Sequence, residues 1–163
     1  MSRFGDGECD DNLAYGRWEA RRKAVFSGRP GYRELKRLEA ALLALPHKRL
    51  IEGMLCDGKG VCAIGALGYQ ELRQQGLPPK EAWRALRRMS WGLDAPNGDL
   101  SVDTGTKWFA VDRLGWTETL AVEVATENDE YHYCYPTPEQ RYDRMLRWVR
   151  ARLAEFPERV RVN

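Results

Sequence analysis

The chain has 163 residues, 43% of them hydrophobic and 31% charged, with a formal net charge of +2. That length supports one real hydrophobic core and is short for two domains, and no apolar run approaches the roughly 20 residues that span a bilayer. The opening residues Met1 to Asp11 are polar and acidic and lack the apolar stretch and cleavage site of a secretory signal, so the four cysteines are expected as reduced thiols in a cytosol.

Residues 1–11 read as a flexible lead and 12–163 as a single globular domain. Asp11 or Asn12 caps a first helix reaching about Ser27, where Gly28-Arg-Pro-Gly31 breaks the chain. Leu35, Leu38, Leu42 and Leu45 repeat at three- and four-residue steps, an amphipathic helix that Pro46 ends. Two short apolar pieces, Met54-Leu-Cys56 and Val61-Cys-Ala63, flank Asp57-Gly-Lys-Gly60. This predicts a small β-hairpin near residues 50–63. Ala63 to Gln75 reads as a helix in which Gly65 and Gly68 permit a close neighbour; Gly76 stops it, and Pro79 opens the next helix, to about Met89.

Trp91 to Thr106, with Pro96-Asn-Gly-Asp99, reads as an irregular loop containing a turn. A short helix follows to Leu114, and Thr117 caps another whose buried side is Leu120, Ala121, Val124 and Ala125. Thr137-Pro-Glu-Gln140 is a capping box with proline at the first helical position. Behind it Tyr142, Met145, Leu146, Val149, Leu153 and Phe156 fall in one apolar stripe, and Pro157 ends the helix. The fold class is therefore mainly α (α+β): one compact helical domain with a small hairpin. Leu38, Leu42, Leu67, Val124, Met145, Val149 and Leu153 are its expected core.

Four stretches together resemble a family of uncharacterised proteins from bacteriophages and prophage-bearing bacteria. They are Leu42-Leu-Ala-Leu-Pro-His-Lys-Arg-Leu-Ile51, Gly60-Val-Cys-Ala-Ile-Gly-Ala-Leu67, Glu127-Asn-Asp-Glu130, and Thr137-Pro-Glu-Gln-Arg-Tyr142 with Trp148-Val149. In order and spacing they cover most of the chain from about residue 17 onward. The family usually has leucine at the position of Ile64 and often tryptophan at that of Tyr142, and Trp91 to Thr106 has no counterpart in it. The resemblance implies a phage or mobile-element setting and no particular activity.

Several side chains invite chemistry. Cys62 should sit at a helix N-terminus, where the dipole lowers a thiol pKa. A nucleophilic reading adds His132 as base and Asp129 to orient it; the plainer reading makes Cys62 a small buried apolar residue. Cys56, Cys62, His132 and Cys134 are a zinc-type ligand set, but their spacings depart from the usual knuckle. No metal or cofactor is expected. Glu127, Asp129 and Glu130 crowd what should be a helix C-terminus, where the macrodipole disfavours negative charge. Arg141 and Arg144 reaching back to pair with them is the structural account; an acidic binding pocket is the functional one.

Charge is unevenly spread: residues 17–49 hold ten basic and three acidic residues, and residues 112–130 hold six acidic and one basic. Arg17, Arg21, Arg22, Lys23, Arg29, Arg33, Lys36 and Arg37 could track phosphates, or could form a solvated helix face. On the last helix, Trp148 falls opposite the apolar stripe among Arg141, Arg144 and Arg152. It is either an exposed binding anchor or an aromatic covered by another segment with arginines stacked on it. The expected function is a non-enzymatic, cytoplasmic accessory protein that binds a host-cell protein through Trp148, those arginines and Trp91. A nucleic-acid-binding protein using Arg17 to Arg37 is the first alternative, and a cysteine enzyme or zinc protein around Cys62 and His132 is the second.

Overall fold

The computed structural model describes residues 12–90, 102–129, 134, 135 and 137–161. The expected flexible lead, the acidic residue Glu130 and the candidates Trp91 and His132 lie outside these. The described elements run α1 (Asn12–Val25), α2 (Arg29–Ala44), α3 (Ala63–Gln74), α4 (Pro79–Ser90), α5 (Val102–Trp108) with a π turn over Phe109–Arg113, α6 (Glu118–Asp129), α7 (Pro138–Glu155) and α8 (Glu158–Arg161).

The amphipathic α2 packs against both α3 and α7 because its leucine row faces inward: Leu35, Leu38 and Leu42 are fully buried. From the far side α4 and α6 close on α3, and α1 lies across α6. All seven expected core residues, from Leu38 to Leu153, belong to one continuous apolar cluster. α7 begins as its sequence dictates. The Thr137 hydroxyl accepts the Gln140 N–H at 3.2 Å, and the Gln140 side chain accepts the Thr137 N–H at 3.3 Å. Thr117 caps α6 by accepting the Leu120 N–H.

Both glycines of α3 mark close approaches. A Cβ on Gly65 would overlap the Leu55 carbonyl, and one on Gly68 would lie 2.5 Å from the Phe109 ring. On α4, Ala82, Leu86 and Met89 are buried, while Lys80, Arg84, Arg87 and Arg88 are exposed.

The expected hairpin is not a strand pair. Cys56 and Val61 form one isolated antiparallel bridge, and no strand occurs among the described residues. Backbone bonds from Cys62 to Leu55 and from Asp57 to Gly60 flank that bridge. The ladder ends there because Cys62 opens α3, its carbonyl accepting the Ala66 N–H, and because the Gly53 N–H is given to Asp129. Leu55, Cys56, Val61 and Cys62 are all buried, so the period-two alternation of a one-sided strand is missing too. The turn itself forms, with the Asp57 carboxylate accepting the N–H groups of Lys59 and Gly60.

One other expectation needs correction: α5 starts at Val102, so the end of the stretch read as loop is helical. Pro157 ends α7 as expected; the single-turn α8 follows it, and Val160 joins the core.

Candidate functional site

The C-terminal turn of α6 meets the N-terminus of α3 and the segment from Leu50 to Gly53. Asn128, almost fully buried, organises the junction. Its side-chain oxygen accepts the Ala63 N–H at 3.1 Å. Its amide nitrogen donates to the Ile51 carbonyl at 2.8 Å and to Asp129 at 2.6 Å. The same Asp129 oxygen accepts the Gly53 N–H at 3.2 Å. One amide therefore satisfies an orphan N–H of a helix start and a carbonyl of the preceding loop together.

Cys62 occupies the N-cap of α3, where the sequence predicted it. Its sulfur accepts the Gly65 N–H at 3.3 Å. The helix start does not activate it: burial pushes the thiol up to about 12, and the nearby Asp129 charge adds to that direction. Asp129 is itself raised above the ordinary carboxylate range, chiefly by burial and against the opposing hydrogen bonds from Asn128 and Gly53. Cys62, Asn128, Asp129 and Thr106 share a cavity of about 10 Å³, room for about one water molecule. The Thr106 hydroxyl, buried, has no hydrogen-bond partner among the described residues. A buried high-pKa thiol is a poor nucleophile, so this arrangement serves the joint between helices better than covalent catalysis.

α7 closes the junction from below. Arg141 is buried, donating to the Leu50 carbonyl at 2.9 Å and to Glu52 at 2.8 Å. The Tyr142 hydroxyl donates to the Leu42 carbonyl at 3.2 Å. Arg144 holds the Glu127 carboxylate at 2.6 Å and also reaches the Glu127 carbonyl. The expected back-pairing thus holds for Arg144 and Glu127, whereas Arg141 turns to Glu52, and Asp129 is held by a backbone N–H. The carboxylates of this cluster stand out in the sequence, whereas the group that organises it is the asparagine between them. The only sequence signal for Asn128 was a short polar residue inside an otherwise acidic helix end.

Of the zinc-type set, Cys56 and Cys62 are buried and Cys134 is exposed, and no cluster of three His, Cys, Asp or Glu side chains that could hold a metal occurs among the described residues. Burial also raises the Cys56 thiol.

Trp148 is half-buried. The Phe26 ring meets it edge-on, with centroids 6.1 Å apart and planes at 88°, and Arg152 stacks over both rings. These contacts cover part of Trp148 and leave the rest open, so each of the two readings of it describes one side. The basic stretch is divided by the break between α1 and α2. Arg22 pairs with buried Glu123 at 3.1 Å, and Arg33 and Arg37 both pair with buried Glu34, Arg37 also with Glu71. Lys36 pairs with Glu39; Arg17, Arg21, Lys23 and Arg29 are exposed.

No helix among the described residues is long and apolar enough to cross a membrane. No protein-family model, curated protein or solved structure matches the chain.

Proposed function

We propose that this chain is a non-enzymatic accessory protein of the bacteriophage or prophage type, acting in the bacterial cytoplasm by binding a host-cell protein such as a defence component. The fate of the reactive side chains carries this reading. Of the candidate nucleophile set, Cys62 and Asp129 are turned to backbone N–H groups, His132 lies outside the described residues, and the neighbouring Asn128 is spent on a backbone N–H and a backbone carbonyl. All four stretches that carry the family resemblance contribute to this one junction, which accounts for them as a fold-defining set and leaves recognition to the surface. There the Phe26, Trp148 and Arg152 stack supplies the aromatic and arginine character that dominates binding energy at interfaces.

Affinity capture from bacterial lysate, followed by mass spectrometry and reconstitution with the purified partner, tests this. Wild type should retain a protein in a defined ratio, and Arg152→Ala should lose it with an unchanged melting temperature. Capture that is abolished by nuclease, or identical with Arg152→Ala, would overturn the assignment of this face. The nucleic-acid reading of Arg17 to Arg37 has less support, since Arg22, Arg33 and Arg37 are committed to ion pairs within the fold.

A further inference from the structure

Eight of the nineteen described arginines, Arg22, Arg33, Arg37, Arg49, Arg141, Arg144, Arg150 and Arg152, each hold a carboxylate. The outer side of α4 carries a row of cations that do not. Lys80, Arg84 and Arg87 are exposed and, at 100° per residue, stand within an arc of about 60° along about 10 Å of helix axis. None of the three pairs with a carboxylate among the described residues. Exposed Lys59 extends the row beyond Arg87, whose guanidinium lies beside Gly58. The neighbouring Asp57 carboxylate is turned to the backbone of its own turn, and Glu81 stands about 60° outside the arc.

One turn before Arg87 is Trp83. It pairs with Tyr69 of α3, with ring centroids 5.1 Å apart and planes at 41°, and both rings are half-buried. A row of cations beside a partly open tryptophan suits a chain that presents phosphates and unstacked bases together. An acidic protein surface would use the cations without needing the ring. A duplex keeps its bases stacked, away from Trp83.

We propose that this face of α4 binds single-stranded nucleic acid, with Lys80, Arg84 and Arg87 against successive phosphates and Trp83 against a base. The site is separate from the Trp148 face and does not depend on its function.

Fluorescence anisotropy with labelled oligothymidylate and oligouridylate tests it, the two probes distinguishing DNA from RNA. Binding should weaken with salt on a log–log slope of about −2, as three phosphate contacts on a single strand require. Arg84→Ala should weaken both probes and reduce the slope by about 0.7. Trp83→Leu, which keeps the side chain apolar, should weaken binding by roughly 5- to 100-fold, the loss expected for one stacked base. Arg152→Ala should bind as wild type. Absence of binding, equal affinity for poly-glutamate, preference for duplex, or indifference to Arg84→Ala would each overturn the proposal. If Trp83→Leu fails to fold, the exposed Arg84 variant and the poly-glutamate comparison still decide it.

Discussion

Asn128 and Ala63 stand 65 positions apart, and the side-chain oxygen of the first accepts the backbone N–H of the second at 3.1 Å. The start of one helix is thereby fastened to the end of another by a neutral amide. No carboxylate could replace it, because the same side chain must also donate to the Ile51 carbonyl.

Replacing Asn128 with alanine strands both of those buried backbone groups. Each unsatisfied group costs about 1–3 kcal/mol, so Asn128→Ala should lower unfolding free energy by about 2–5 kcal/mol. Asn128→Asp should fare no better at neutral pH, since it loses the donor and adds a charge beside Asp129. Urea denaturation checks both. A loss below about 0.5 kcal/mol for Asn128→Ala would show that the junction is incidental to the fold.

Asp129 gives a pH signature of definite sign. Its folded pKa is raised above the ordinary 3.8 by burial, so its contribution to stability is fully present below that ordinary value. It is lost as pH rises through the folded pKa. Asp129→Asn keeps an oxygen for the Gly53 N–H and removes the charge. Its stability relative to wild type should therefore grow from about pH 3 toward neutrality and then level off. Denaturation midpoints taken across that range check this; a difference that shrinks with rising pH would mean that the carboxylate is stabilised by a cation after all.

The cysteines should separate by reactivity. Cys134 is exposed, while Cys56 and Cys62 are buried with thiols raised by that burial. At pH 8 an alkylating reagent should modify Cys134 in the native protein and reach Cys56 and Cys62 only on unfolding, as peptide mapping will show. Rapid native modification of Cys62 would revive the nucleophile reading.

Two glycines should respond oppositely to alanine. Gly65→Ala forces a methyl into the Leu55 carbonyl, backbone that has nowhere to go. It should cost about 3 kcal/mol, at the upper end of overpacking effects. Gly16, within α1, has open space where a Cβ would stand, and Gly16→Ala should add up to about 1 kcal/mol. Paired thermal melts read both signs.

Local signals were the legible ones. The capping box at Thr137, the Thr117 cap, the Cys62 position and the leucine row of α2 depend on residues within a turn or two of one another, and each stands where the sequence placed it. What was illegible involved distant partners. The hairpin stopped at one bridge because α3 claims the Cys62 carbonyl and Asp129 claims the Gly53 N–H. Trp148 looked outward on its own helix, but Phe26 from another part of the chain packs against it and leaves it half-buried. The basic row of α4 was legible from its four- and three-residue spacing, yet it was overshadowed by the denser run from Arg17 to Arg37.

The ties of α7 also govern when the chain can finish folding. Tyr142 bonds to a carbonyl 100 positions earlier and Arg141 to one 91 positions earlier. Closing loops of that length delays the contacts that reward them. On a ribosome, α2 and α3 would emerge long before the residues that seal them, leaving their leucine faces open to chaperones. Completion would therefore follow translation rather than accompany it, and a ribosome stalled before α7 would display a collapsed but protease-sensitive chain.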